Sequence, residues 1–165
     1  MEYFRILNLA REPFSTSPDP DLFYRARGHA DCLHELEISI RLRRGLCVVV
    51  GPVGVGKTTI CRQLLRELAD DERVDARLTL DPTAESRGEF LNRLWAALSG
   101  TTERQHAAPV EDLRERLKKL LFQRGVQEGR TLVLLIDEGQ KLHPGDLEVL
   151  RELGGFNLQV QHPQS

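Results

Sequence analysis

No apolar run in this 165-residue sequence approaches the about 20 residues that a helix needs to cross a bilayer. The opening residues, MEYFRILNLAREPF, carry too many charges for the apolar core of a secretory signal. Cysteine is scarce: Cys32, Cys47 and Cys61 include no C-x-x-C pair, and Cys47 and Cys61 read as small core residues of a reducing, cytoplasmic compartment. His29, Cys32 and His34 lie close together, but no second ligand pair follows, which argues against zinc. Acidic and basic side chains nearly cancel, 25 against 23, so charge lends no independent support to a DNA partner. Repeats and low-complexity segments are missing too. What remains is 40% hydrophobic and 29% charged, an ordinary globular composition long enough for one domain with its own core.

What is present centres on LCVVVGPVGVGKTT, Leu46 to Thr59. Leu46 to Val50 run apolar without alternation, as a strand buried on both faces of a parallel sheet does. The loop Gly51-Pro52-Val53-Gly54-Val55-Gly56 follows, and Lys57-Thr58-Thr59 open a helical stretch carrying Ile60, Leu64, Leu65 and Leu68. That is G-x-x-x-x-G-K-[ST] between a strand and a helix, the setting a phosphate-binding loop requires. Glycines let backbone N–H groups curl around a triphosphate, and the helix N-terminus adds positive potential. Lys57 suits the β- and γ-phosphates of ATP, and the Thr58 hydroxyl suits Mg²⁺.

Ahead of this stretch, residues 1–28 combine three prolines with aromatic and aliphatic side chains and predict a strap over the core, packed on it or beside the nucleotide base. Residues 29–44 predict a helix on Leu33, Leu36 and Ile40, closed by Arg41, Arg43 and Arg44 and ended at Gly45. Downstream, Val74 to Leu80 predicts an outer strand. Helices follow over about 85–99, on Phe90, Leu91, Leu94, Trp95 and Leu98, and from Asp112 to Arg124. TLVLLIDEGQKL then gives a second buried strand, Leu132 to Ile136, delivering Asp137 and Glu138 at its C-terminal edge, where open α/β sheets bind ligands. Asp137 suits the Mg²⁺ shell, completing the site begun by Thr58; Glu138 suits the base that deprotonates the attacking water. The fold class is therefore α/β, a three-layer αβα P-loop NTPase with a parallel sheet.

These residues resemble the AAA+ ATPases of the general secretion pathway protein A (ExeA-like) type, relatives of the TnsC transposition ATPases. The likeness begins at Tyr3-Phe4, Phe14, Pro18-Asp19-Pro20 and Leu22-Phe23-Tyr24. It runs through His29, GPVGVGKTT and LDPT to IDEGQKL, with Gly139 where that family has alanine. The resemblance implies ATP hydrolysis coupled to assembly or remodelling of a larger complex, secretion- or envelope-related, by a homo-oligomer with DNA as an alternative partner. It also implies a sensor strand, an arginine finger and a helical lid beyond the helix that LEVLRELGGFNL resembles. QVQHPQS ends where the sensor strand is expected, so residues 29–165 read as a partial core with a gap in its sheet and poor turnover on its own. A non-catalytic, nucleotide-gated interaction module is the competing reading. A small P-loop kinase is disfavoured, because no closely spaced lid arginines follow the second helix.

Overall fold

The apolar run ahead of the glycine loop forms β1 (Gly45–Val49), and the stretch beginning with the loop lysine forms a helix, Lys57–Leu68. The computed structural model describes residues 27–101 and 109–154 and the backbone of 157–161; the expected strap over residues 1–28 lies almost wholly outside them. In chain order the elements are α1 (Arg27–Arg41), β1, α2 (Lys57–Leu68), β2 (Val74–Thr79), α3 (Arg87–Ser99) and α4 (Val110–Phe122). They continue with β3 (Thr131–Ile136), α5 (Pro144–Gly154) and β4 (Asn157–Gln161). A single wide turn, Gln123–Gln127, prolongs α4.

The strands divide the molecule into three layers. On β3, Val133 and Leu135 pack toward α1 and α2, together with Cys47 and Val49 of β1 and Val74 and Ala76 of β2. Leu132 and Leu134, the alternate residues, pack toward α3, α4 and α5. Side chains alternate across a strand, so a continuous apolar run such as LVLLI serves both layers at once. One core holds Cys32, Leu33, Leu36, Ile60, Leu64 and Leu68; the other is built on Phe90, Leu91, Leu94, Leu98, Leu113, Leu117 and Val149. Trp95 packs against the second core, as its place in the apolar stripe of α3 predicts.

The junction between α1 and β1 differs from the sequence reading, while most other elements shift by no more than two residues. Helix α1 stops at Arg41, and Arg43 takes the left-handed conformation (φ 51) with the Arg44 N–H bonded back to the Ser39 carbonyl. Gly45 does not end the helix; it opens β1. A left-handed arginine is unfavourable in itself, and the Arg43 guanidinium donates to the Gly129 carbonyl at 3.3 Å.

The larger correction concerns the sheet. β2 and β3 pair in parallel from Val74↔Thr131 to Thr79↔Ile136. β1 also has a parallel partner: β4 lies along it from Gly45↔Asn157 to Val49↔Gln161. A strand therefore follows α5, where the sequence reading continued the helix through Leu158. Among the described residues the strands form two parallel pairs, β1–β4 and β2–β3, with no ladder between the pairs, so what differs from expectation is the fourth strand on β1. Free strand edges hold unpaired donors and acceptors, and the edge of β1 is what recruits Asn157–Gln161.

At the opposite end of β2 from the site, the buried Asp75 carboxylate is paired with Arg124 and, at 2.9 Å, with Arg77. This ties the wide turn after α4 to the sheet. Leu113 is wholly buried in the second core. Its replacement by Ala is expected to cost about 2–5 kcal/mol, through lost transfer energy and a residual cavity. Val126→Ser, at an exposed position, is expected to change stability by no more than about 0.5 kcal/mol. Urea unfolding of the two variants checks both values.

Candidate functional site

The loop between β1 and α2 curls because two glycines adopt backbone angles that L side chains avoid: Gly54 at φ +83 and Gly56 at φ +93. Alternating them with Val55 turns successive peptide planes so that N–H groups can converge, the concavity that binds anions. Val53 stands fully exposed at the loop tip. The helix begins immediately, with the Ile60 N–H bonded to the Gly56 carbonyl at 2.9 Å. Lys57 reaches back across the loop, and its ammonium donates to the carbonyls of Gly51 (2.9 Å) and Pro52 (2.8 Å). Thr59 follows as a half-buried residue of α2.

Across the gap between the two strand pairs, the Thr58 hydroxyl donates to Asp137 Oδ2 at 2.7 Å. Asp137 is buried at the end of β3, 9% exposed. Its other oxygen accepts the Glu138 N–H at 3.0 Å, and its own N–H donates to the Thr79 carbonyl at 2.9 Å. A buried carboxylate is tolerated when its lone pairs are used in this way. The structure thus brings together residues 51–58 and Asp137. A hydroxyl and a carboxylate oxygen in contact are the hard oxygen donors that Mg²⁺ prefers, so the residues present fit that ion.

Glu138 lies just outside, exposed, in the left-handed conformation (φ 55). Its Oε2 accepts from Gln140 Nε2 at 2.8 Å. Lys141 forms an ion pair with Asp81 at 3.5 Å, linking the C-terminal ends of β2 and β3. Hydrogen bonds from the Thr83 side chain and backbone hold the Asp81 carboxyl below its ordinary range, with Lys141 adding to the effect.

Two contacts were not legible in the sequence. His29, read there beside Cys32 and His34, instead reaches the loop: its Nε2 lies 2.7 Å from the Val55 carbonyl. Gln140 stood out only through the resemblance, and its bond to Glu138 is new. Neither has a local signal, since 26 residues separate His29 from Val55 and glutamines are common near turns.

A family model described as an AAA domain matches residues 40–163, a span that contains the glycine loop, Thr58, Asp137 and Glu138. The chain belongs to this family, the AAA ATPases with a P-loop αβα fold. Within it the likeness is to the general secretion pathway protein A type, as the sequence implied. The chain is 31% identical over 158 residues to General secretion pathway protein A of Aeromonas hydrophila, an alignment covering 92% of this chain and 26% of that protein. It is 25% identical over 144 residues to Chaperone protein ClpB of Streptomyces albus G, covering 82% of this chain and 15% of that one. The chain therefore spans only a minor part of either relative's length. No solved structure matches it.

Cys61 lies on α2, within the field of Asp137. Burial chiefly, then the charge of Asp137 and the neighbouring Cys32, push its thiol up to about 11. At pH 8 roughly one thiol in a thousand is ionised, against about a quarter for an ordinary cysteine near 8.5. Iodoacetamide is expected to label Cys61 roughly 200-fold more slowly than a peptide thiol, as peptide mass mapping of the native protein over time would show.

Proposed function

We propose that the chain is a Mg-ATP-binding and ATP-hydrolysing module whose nucleotide cycle drives assembly or remodelling of a larger complex. The observation that carries this reading is the 2.7 Å contact between Thr58 and Asp137. It joins the helix behind a glycine loop to a carboxylate at the end of a parallel strand, where metal and triphosphate must meet. In this reading Gly51 to Gly56 cradle the phosphates with backbone N–H groups, and Thr59 extends the helix end that closes the cradle. Lys57 exchanges its two carbonyl partners for β- and γ-phosphate oxygens. Thr58 and Asp137 would hold Mg²⁺, which would supply neutralisation of the phosphate charge. Glu138 receives the proton of the attacking water, and its bond from Gln140, made to Oε2, leaves Oε1 to take it. The likeness to a secretion-pathway protein supports a secretion- or envelope-related complex, and the AAA family supports a homo-oligomeric, cytoplasmic setting.

Lys57→Ala is expected to weaken Mg-ATP binding roughly 100-fold or more, because the charged donor to the phosphates is lost while the backbone donors survive. Calorimetry in Mg²⁺ decides this, and unchanged affinity would reject the phosphate-loop assignment. Glu138→Gln keeps the shape and loses the base. It should bind Mg-ATP normally and hydrolyse it about 10²–10⁴-fold more slowly, whereas Asp137→Asn should weaken the Mg²⁺-dependent part of binding. Steady-state phosphate release, measured on each variant over a range of protein concentrations, separates these outcomes. Hydrolysis by Glu138→Gln at the wild-type rate would remove Glu138 from its role.

A further inference from the structure

We infer that His29 is a positioning residue of the phosphate loop: its imidazole fixes the Val55–Gly56 peptide so that the Gly56 N–H is aimed into the cradle. The inference rests on the reading of that loop as a triphosphate site. His29 occupies the first turn of α1, a different element from those that carry the loop. Its Nε2 lies 2.7 Å from the Val55 carbonyl. A carbonyl oxygen can only accept, so Nε2 carries the hydrogen and donates it.

The geometry of the peptide unit does the rest. In a trans peptide the C=O and the following N–H point in opposite directions. A Val55 carbonyl drawn toward α1 therefore turns the Gly56 N–H away from α1, toward the hollow of the loop. The next peptide is set independently by α2, whose Ile60 N–H holds the Gly56 carbonyl at 2.9 Å and so turns the Lys57 N–H the opposite way, out of the helix end. Two consecutive donors are thus oriented by two different helices, one through a backbone bond and the other through an imidazole.

Steric fit points to the same role. Gly56 sits at φ +93, and a Cβ placed there would lie 3.1 Å from His29 Nε2. The ring lies against the bare face of the glycine, so the loop cannot relax toward α1 without meeting it. An anion receptor gains affinity from donors already aimed, because binding then needs no reorganisation.

The test compares His29→Gln with His29→Met, side chains of nearly equal length and volume of which only glutamine has a donor. Calorimetry measures Mg-ATP and inorganic tripolyphosphate binding to each, and thermal unfolding without ligand measures stability. His29→Met is expected to lose about tenfold in affinity for both ligands, and His29→Gln to stay within about threefold of wild type, with the two variants unfolding at similar temperatures. Equal affinities for the Gln and Met variants, whether near wild type or both reduced, overturn the positioning role. So does a loss by His29→Met that only tracks lower stability. A wild-type chain that binds neither ligand overturns the nucleotide reading itself, and this inference with it; a wild type that binds alongside an unaffected His29→Met overturns the inference alone.

Discussion

The hydrogen bond from Thr58 to Asp137 is the contact on which the arrangement of the site depends. β1 pairs with β4 and β2 with β3, and no strand ladder among the described residues joins the two pairs. What unites them is the helical packing of α1 and α2 over both, and at the functional edge this one hydroxyl–carboxylate contact. Asp137 can sit there only because its remaining valences are met, by the Glu138 N–H on one oxygen and by the Thr79 carbonyl on its own N–H. A buried carboxylate lacking such partners costs several kcal/mol. The same charge reaches Cys61 one turn into α2 and discourages its ionisation.

The loop is correspondingly held from outside as much as from within. Its first residues accept from Lys57, its middle from His29 and its last from the N–H of Ile60. Each of these bonds engages a carbonyl; those held by His29 and Ile60 fix the peptides at Gly56, while those held by Lys57 occupy its ammonium until a phosphate replaces them. An anion site made of backbone amides needs this complement, since a peptide cannot present its N–H without disposing of its C=O elsewhere.

Much of this was legible in the sequence because it is local. The glycine spacing, the apolar runs before Gly51 and Asp137, and the stripes of α2, α3 and α4 each announce themselves within about a dozen residues. β4 was not legible: Asn157 and Leu158 read as the end of the preceding helix, and Asn-Leu-Gln-Val-Gln is short and polar at alternate positions. Its strand character comes from the free edge of β1, a tertiary cause that outweighs propensity. The end of α1 was misplaced for a related reason. Gly45 offered an obvious stop, but the chain turns two residues earlier at Arg43, whose side chain finds the Gly129 carbonyl far along the sequence. His29 belongs with these, as its partner lies on another element.

The pairing of β1 with β4 also bears on how the protein comes into being. Gly45 finds Asn157 almost at the other end of the chain, and Val74 finds Thr131 only after two helices have intervened. Parallel pairings over such separations form slowly, because loop closure precedes any return in contacts. Synthesis proceeds at about 5–20 residues per second, from the N-terminus. The strand leading into the phosphate loop therefore leaves the ribosome seconds before its neighbour exists, with one edge exposed. During that interval the nascent chain carries an unpaired strand edge, so β1 stays open to other pairing until residues 157–161 emerge.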